Sequence, residues 1–204
     1  MYEALGGMKF KIALFISIMV LVHGRIARAE NEVPADLATA IMLKALNYDR
    51  SLEARSGDTV TIGIFFSDEI HQKKYAHEMY RGINKHKSDG KLSVRSLPVD
   101  VKMIDKDDIR PFTQQTLVEK FKEWRISVLF IVLSDGKTVD DLITVTTLLK
   151  INSFCLEKHF LKHGATIAII ENDNKPQLFI NLDASKNEGS DYSGKFLSIC
   201  EKMQ

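Results

Sequence analysis

The chain has 204 residues, of which 45% are hydrophobic and 27% charged, and its formal net charge is +1. That is the length of one ordinary domain with a little left over and the composition of a soluble globular protein. No long cationic stripe is present to follow a phosphate backbone, so nucleic acid is excluded as an expected partner.

The surplus lies at the front. Lys9 and Lys11 precede the apolar run Ile12 to Val22, and Ala27-Arg28-Ala29 supplies a small-residue cleavage pattern before Glu30, which reads as a secretory signal peptide over 1–29. The run is shorter than the roughly 20 apolar residues that span a bilayer as a helix. Once 1–29 is removed, the expectation is a single α/β domain over 30–204 with no membrane insertion of its own. Cleavage takes Lys9, Lys11, Arg25 and Arg28 from the 28 basic residues and Glu3 from the 27 acidic ones, leaving a near-neutral chain at −2. Cys155 and Cys200 both fall in the exported part, where an oxidising compartment permits pairing.

Leu37, Ile41, Ala45, Tyr48 and Leu52 recur at helical spacing, with Gly57 following, and predict one long amphipathic helix from about Pro34 to Arg55. Thr59 to Phe66 has the β-branched and aromatic character of a strand buried on both faces. Ser67, Asp68 and Glu69 then suit the start of a second helix, running to about Lys87 on the stripe Tyr75, Met79, Ile83. Leu92 to Val101 alternates, changes phase and contains Pro98, which predicts a bulged edge strand.

Asp105 to Arg110 is a charged loop, and Pro111 leads into a helix marked by Leu117, Phe121 and Trp124. Ile126 to Leu133 is a central strand, Ser134-Asp135-Gly136 a turn, and Val139 to Lys150 a helix weakened by Val145, Thr146 and Thr147. The strand Ile151 to Phe154, the helical Leu156 to Lys162 closed by Gly164, the strand Ala165 to Ile170 and the strand Gln177 to Leu182 follow. The turn Asn172 to Pro176 between the last two is too short for a crossover, so they form a hairpin. A polar loop over Asp183 to Gly189 precedes a final helix carrying Tyr192, Phe196, Cys200 and Met203. The alternation predicts an α/β fold: a mostly parallel sheet with helices on both faces and a C-terminal antiparallel hairpin at one edge.

The residues assemble no catalytic constellation. Ser134-Asp135-Gly136-Lys137 lacks the upstream glycine of a phosphate-binding loop, and the second histidine that His77-Glu78 would need for a zinc-protease motif is Arg81. His159 and His163 share helical spacing but have no obvious third ligand, so a solvated pair is preferred to a metal site. The expectation is a protein that is not an enzyme and carries no cofactor or metal. Geometry leaves one crevice: in open parallel sheets ligands bind beyond the carboxyl ends of strands, where Ser67 and Asp68 follow one strand and Ser134 and Asp135 another. Helix capping accounts for all four without a ligand. If the last helix climbs back along the sheet, Cys200 approaches Cys155 and the two can bridge; the alternative is two separate buried thiols.

The segments Ile151-Asn-Ser-Phe154, Gly164-Ala-Thr-Ile-Ala-Ile-Ile170 and Pro176-Gln-Leu-Phe-Ile-Asn-Leu182, followed by Gly189 and Phe196-Leu197, resemble the YfiR-like periplasmic proteins. Ala45-Leu46-Asn47-Tyr48-Asp49 and the strand Thr61 to Phe66 are similar to that family's start. The resemblance implies an exported, often dimeric regulatory domain that represses an inner-membrane diguanylate cyclase by binding its periplasmic sensor domain. Gly164, Asn181 and Gly189 are its family-like structural positions, with a structural role for Asn181, such as bonding a neighbouring loop, preferred to ligand contact. Two cysteines, and Lys162-His163 before Gly164 where many relatives have paired glycines, depart from the pattern. Met42 or Leu46 of the first helix are candidate partner contacts, with cover of the helix's own sheet the preferred role. The alternative is a periplasmic small-solute-binding protein associated with a transporter.

Overall fold

A computed structural model describes residues 32–88 and 92–203; the expected signal peptide lies outside the described residues. The elements are α1 (Ala35–Leu46), α2 (Leu52–Ser56), β1 (Val60–Phe66), α3 (Ile70–Ser88), β2 (Ser93–Val94), β3 (Leu97–Asp105), α4 (Gln114–Glu123), β4 (Val128–Val132), α5 (Gly136–Leu149), β5 (Asn152–Cys155), β6 (Ile167–Asn172), β7 (Lys175–Asn181), α6 (Leu182–Asn187), α7 (Gly194–Leu197) and β8 (Glu201–Met203). Short 3-10 turns occupy Lys106–Asp108 and Lys158–His163.

One sheet runs in the order β2-β3-β1-β4-β5-β6-β7-β8. β3, β1, β4, β5 and β6 are mutually parallel, β6 and β7 form the antiparallel hairpin, and β8 adds a last short strand parallel to β7. Because β1 and β4 are apolar at successive positions, they need cover on both sides. Ile62, Ile64, Phe66, Val128, Phe130 and Val132 pack beneath α1 and α3. Phe65, Leu129, Ile131 and Leu133 face α4 and α5. The predicted α/β architecture is the observed one.

Four local expectations are corrected. The long first helix is two: α1 stops at Leu46, and Asp49 accepts from the Ser51 amide at 3.1 Å, a side-chain turn that competes with helix continuation. Its buried face is Ala35, Ala38, Thr39, Met42, Leu43, Ala45 and Leu46, whereas Leu37 is 40% exposed; Met42 and Leu46 are fully buried, in the preferred role of covering the sheet and not as partner contacts. The phase change after Val94 is a tight hairpin, with Arg95 and Ser96 at φ 49° and 68°, and not a bulge. The loop after Leu182 is the helix α6, and the expected last helix shrinks to α7 followed by β8.

Gly164 ends the 3-10 turn at φ 99°, and a Cβ there would lie 2.9 Å from Ile143 Cγ2. Gly164→Ala combines a left-handed backbone strained for alanine with a methyl forced into α5. We expect it to cost about 2–3 kcal/mol, read as a lower urea midpoint at unchanged slope.

Candidate functional site

β1 is flanked by β3 and β4, and the crossovers leaving it and arriving at β4 lie on opposite faces of the sheet, so the chain changes direction between β1 and β4. The carboxyl ends of these two strands form the switch point where open sheets leave a crevice. Ser67 extends β1 and Ser134 extends β4, and the two are joined by a residue that sequence reasoning did not single out. Gln72, in the first turn of α3, accepts from Ser67 Oγ at 2.8 Å and donates to Ser134 Oγ at 3.1 Å and Glu69 Oε2 at 2.6 Å. Gln72 is buried while Ser134 is exposed, so the bridge runs from the interior to the surface.

The two aspartates have separate positions. Asp68 forms an exposed ion pair with Lys73. Asp135 caps α5, accepting from the amides of Lys137 and Thr138, and lies 3.4 Å from Lys106 Nζ, which also bonds Thr138 Oγ1 at 2.8 Å. The Thr138 hydroxyl, with the Lys137 amide and Lys106, holds the Asp135 carboxyl below its ordinary range against the opposing effect of burial. The switch point thus presents two hydroxyls and a carboxamide beside the carboxylates of Glu69 and Asp135, the latter already occupying the amino end of α5. Both serines are hydrogen-bonded to an amide that cannot act as a base, so neither is arranged as a nucleophile.

The other expected sites are placed apart. Cys155 packs among the side chains facing α5 and Cys200 among those under α1 and α3, so the sheet stands between them. Both are free buried thiols, which corrects the expected bridge. His163 Nδ1 contacts Asp140 Oδ1 at 2.6 Å and His159 Nδ1 is 3.6 Å from Glu157 Oε2. Among the described residues no group of three or more potential ligands is arranged for a metal. Asn181 caps α6, accepting from the Ala184 amide at 2.9 Å, and its amide donates to the Leu161 carbonyl at 2.9 Å. Gly189 takes φ 77° after α6.

The opposite, amino edge holds a buried polar cluster that the sequence did not reveal. Asp49, fully buried, pairs with Arg55 and accepts from Ser51 Oγ at 2.8 Å and the Asp191 amide at 2.9 Å. Asn152 donates to Ser190 Oγ at 2.8 Å and to Tyr192 OH at 2.5 Å. Glu188 takes bonds from Thr146, Ser153 and Thr166. The Asp49-Arg-Ser51 spacing was a legible turn signal; nothing in the sequence marks Glu188 as interior.

No family model matches the chain, and no curated protein matches it. Solved structures do. A conserved domain protein from Vibrio cholerae superposes with a TM-score of 0.56 at 13% identity, over 84% of this chain and 60% of that one. The ABC domain from Streptococcus pneumoniae in complex with L-Trp gives 0.51 at 10% identity, over 78% and 60%. A ligand-free, open substrate-binding protein with adhesive properties from Clostridium difficile gives 0.48 at 13%, over 79% and 59%. The chain thus spans about three-fifths of the length of these structures. At such identities the likeness is one of fold: an α/β fold shared with the first two of these structures.

Proposed function

We propose that the protein is an exported binding protein whose switch point between β1 and β4 takes a small polar solute, with amino acids the first class to test. The observation that carries the reading is the Ser67-Gln72-Ser134 bridge at the switch point, set between two helix amino ends. The fold likeness to a domain that holds L-Trp supports the choice of solute class. The export signal read over 1–29 supports a periplasmic location.

Thermal unfolding with a panel of amino acids and small carboxylates tests it. A solute present at a hundred times its dissociation constant stabilises the fold by about 2.7 kcal/mol, a shift of about 5–10 °C. Ser134→Ala removes one hydroxyl and an acceptor of the buried Gln72 amide, and is expected to weaken that solute about tenfold while lowering the unliganded midpoint by a few degrees. No shift with any of the panel would overturn the reading.

A second reading follows from the YfiR-like resemblance: a dimeric regulator that binds the outward-facing sensor domain of an inner-membrane diguanylate cyclase. Ile70, 86% exposed at the first position of α3 and beside the crevice, suits a protein partner. Deleting the gene and measuring cellular cyclic di-GMP, with pull-down from solubilised membranes, separates the two. Altered nucleotide levels and a captured cyclase favour regulation; unchanged levels with a solute-induced shift favour uptake.

A further inference from the structure

Glu188 follows α6 and is completely buried at the amino edge. Its Oε2 accepts from the Ser153 amide at 2.8 Å and from Thr166 Oγ1 at 2.5 Å. Its Oε1 lies 2.7 Å from Thr146 Oγ1, which also lies 3.1 Å from the Ile143 carbonyl oxygen. A hydroxyl has one proton and cannot serve both acceptors. With Glu188 ionised, Thr146 gives its proton to one of the two and leaves the other. With Glu188 protonated, its own O–H donates to Thr146 Oγ1, Thr146 donates onward to Ile143, and every group in the chain of bonds is satisfied.

The surrounding charges do not compensate an ionised carboxylate. Arg55, from α2, is bound to Asp49, to the Lys150 carbonyl at 2.7 Å and to Ser190 Oγ at 3.3 Å. Lys150, after α5, donates to the Asn187 carbonyl at 2.7 Å. Lys186 and Asp183 of α6 itself are exposed and 3.9 Å apart. Burial pushes the Cys155 thiol up to about 12 and the Tyr192 hydroxyl well above its usual value, so both are neutral. No cation among the described residues bonds Glu188. Burial is also the largest influence on Glu188, outweighing its three hydrogen bonds and pushing it up to about 7.

We propose that Glu188 is a proton-operated latch: as a neutral acid it holds the segment from α6 to β8 against the amino ends of β5 and β6, and on ionisation it loosens that segment. Glu188 touches α5, β5 and the residue before β6 at once, so one proton governs contacts among several elements. The segment it closes carries Tyr192 and Phe196, which stack on one another with ring centroids 4.7 Å apart. An exported domain meets the pH of its surroundings directly. Loosening makes the C-terminal face of this one responsive near neutrality.

The sign is fixed by linkage. An unfolded glutamate ionises near 4.5 while the folded one keeps its proton to about 7, so the folded state binds more protons in that window and stability falls as pH rises through it. Glu188→Gln keeps the shape and removes the titration. The melting temperature of the unmodified protein is expected to fall by about 5–10 °C more than that of the variant between pH 5 and 7.5. Carboxyl carbon NMR of the unmodified protein places the Glu188 midpoint near neutrality. Amide exchange over residues 182–203, corrected for intrinsic rate, accelerates about tenfold between pH 6 and 8 and at pH 8 is faster than that of the β1 and β4 amides, which follow global unfolding. A Glu188 midpoint in the ordinary glutamate range, or exchange over 182–203 no faster at pH 8 than that of the β1 and β4 amides, would overturn the latch even if the variant failed to fold. A folded variant with the parent's pH profile would do the same.

Discussion

Asp49→Ala is expected to destabilise the protein by about 3–5 kcal/mol, because it removes one member of a buried ion pair and strands the other. Arg55 has 12% of its side chain exposed and Asp49 none, so the guanidinium left behind cannot recover its hydration. The same substitution deprives the Ser51 amide, the Ser51 hydroxyl and the Asp191 amide of their shared acceptor. Chemical denaturation measures the loss. A double variant adding Arg55→Met is expected to recover part of it, since a buried charge without a partner costs more than an apolar side chain in its place. Additive losses in the double variant would show that the pair is not coupled.

Phe154→Ala carries a comparable cost by a different route. Phe154 is fully buried on β5, stacked on Phe130 of β4 with ring centroids 6.4 Å apart and planes 6° from parallel. Deleting it leaves a cavity between central strands that are hydrogen-bonded on both sides and cannot close around the gap. The expected loss is about 3–5 kcal/mol in urea unfolding. Phe154→Leu fills most of the space and is expected to cost about a third as much. Phe154 pairs with Phe130 in the middle of β4, short of the carboxyl ends where Ser67 and Ser134 lie, so solute binding by folded Phe154→Ala should be unchanged.

The sequence showed the order of strands and helices because most of this fold is written in apolar periodicity. Thr59 to Phe66 and Ile126 to Leu133 have no polar face, which forces helices onto both sides of a sheet. The carboxyl-edge positions Ser67 and Ser134 were legible for the same reason: each ends such a run. Gln72 was not legible, because its burial depends on α3 beginning where Ser67 and Ser134 converge. Glu188 and Asp49 escaped notice because a charged residue in a polar stretch reads as solvated, and only tertiary partners 22 to 142 positions away make it interior. The cysteines misled through side-chain parity. Their spacing suited a returning helix, but the chain beyond α7 becomes β8, and the strand pleat sends Cys155 to the other face.

The pairing of Asp49 with Tyr192 in an isolated bridge, beside the bond from the Asp191 amide, joins positions about 140 residues apart. During synthesis, chain emerging in order can complete α1, α3 and the parallel strands while that corner still lacks its second half. Until Tyr192 arrives, Asp49 and Arg55 face water, Phe196 has yet to cover Tyr48, and the amino edge exposes apolar surface. Joining Asp49 to Tyr192 is a loop closure of long range, which carries a large entropic cost. A holding chaperone acting before that closure would find its substrate at the α1 to α2 corner.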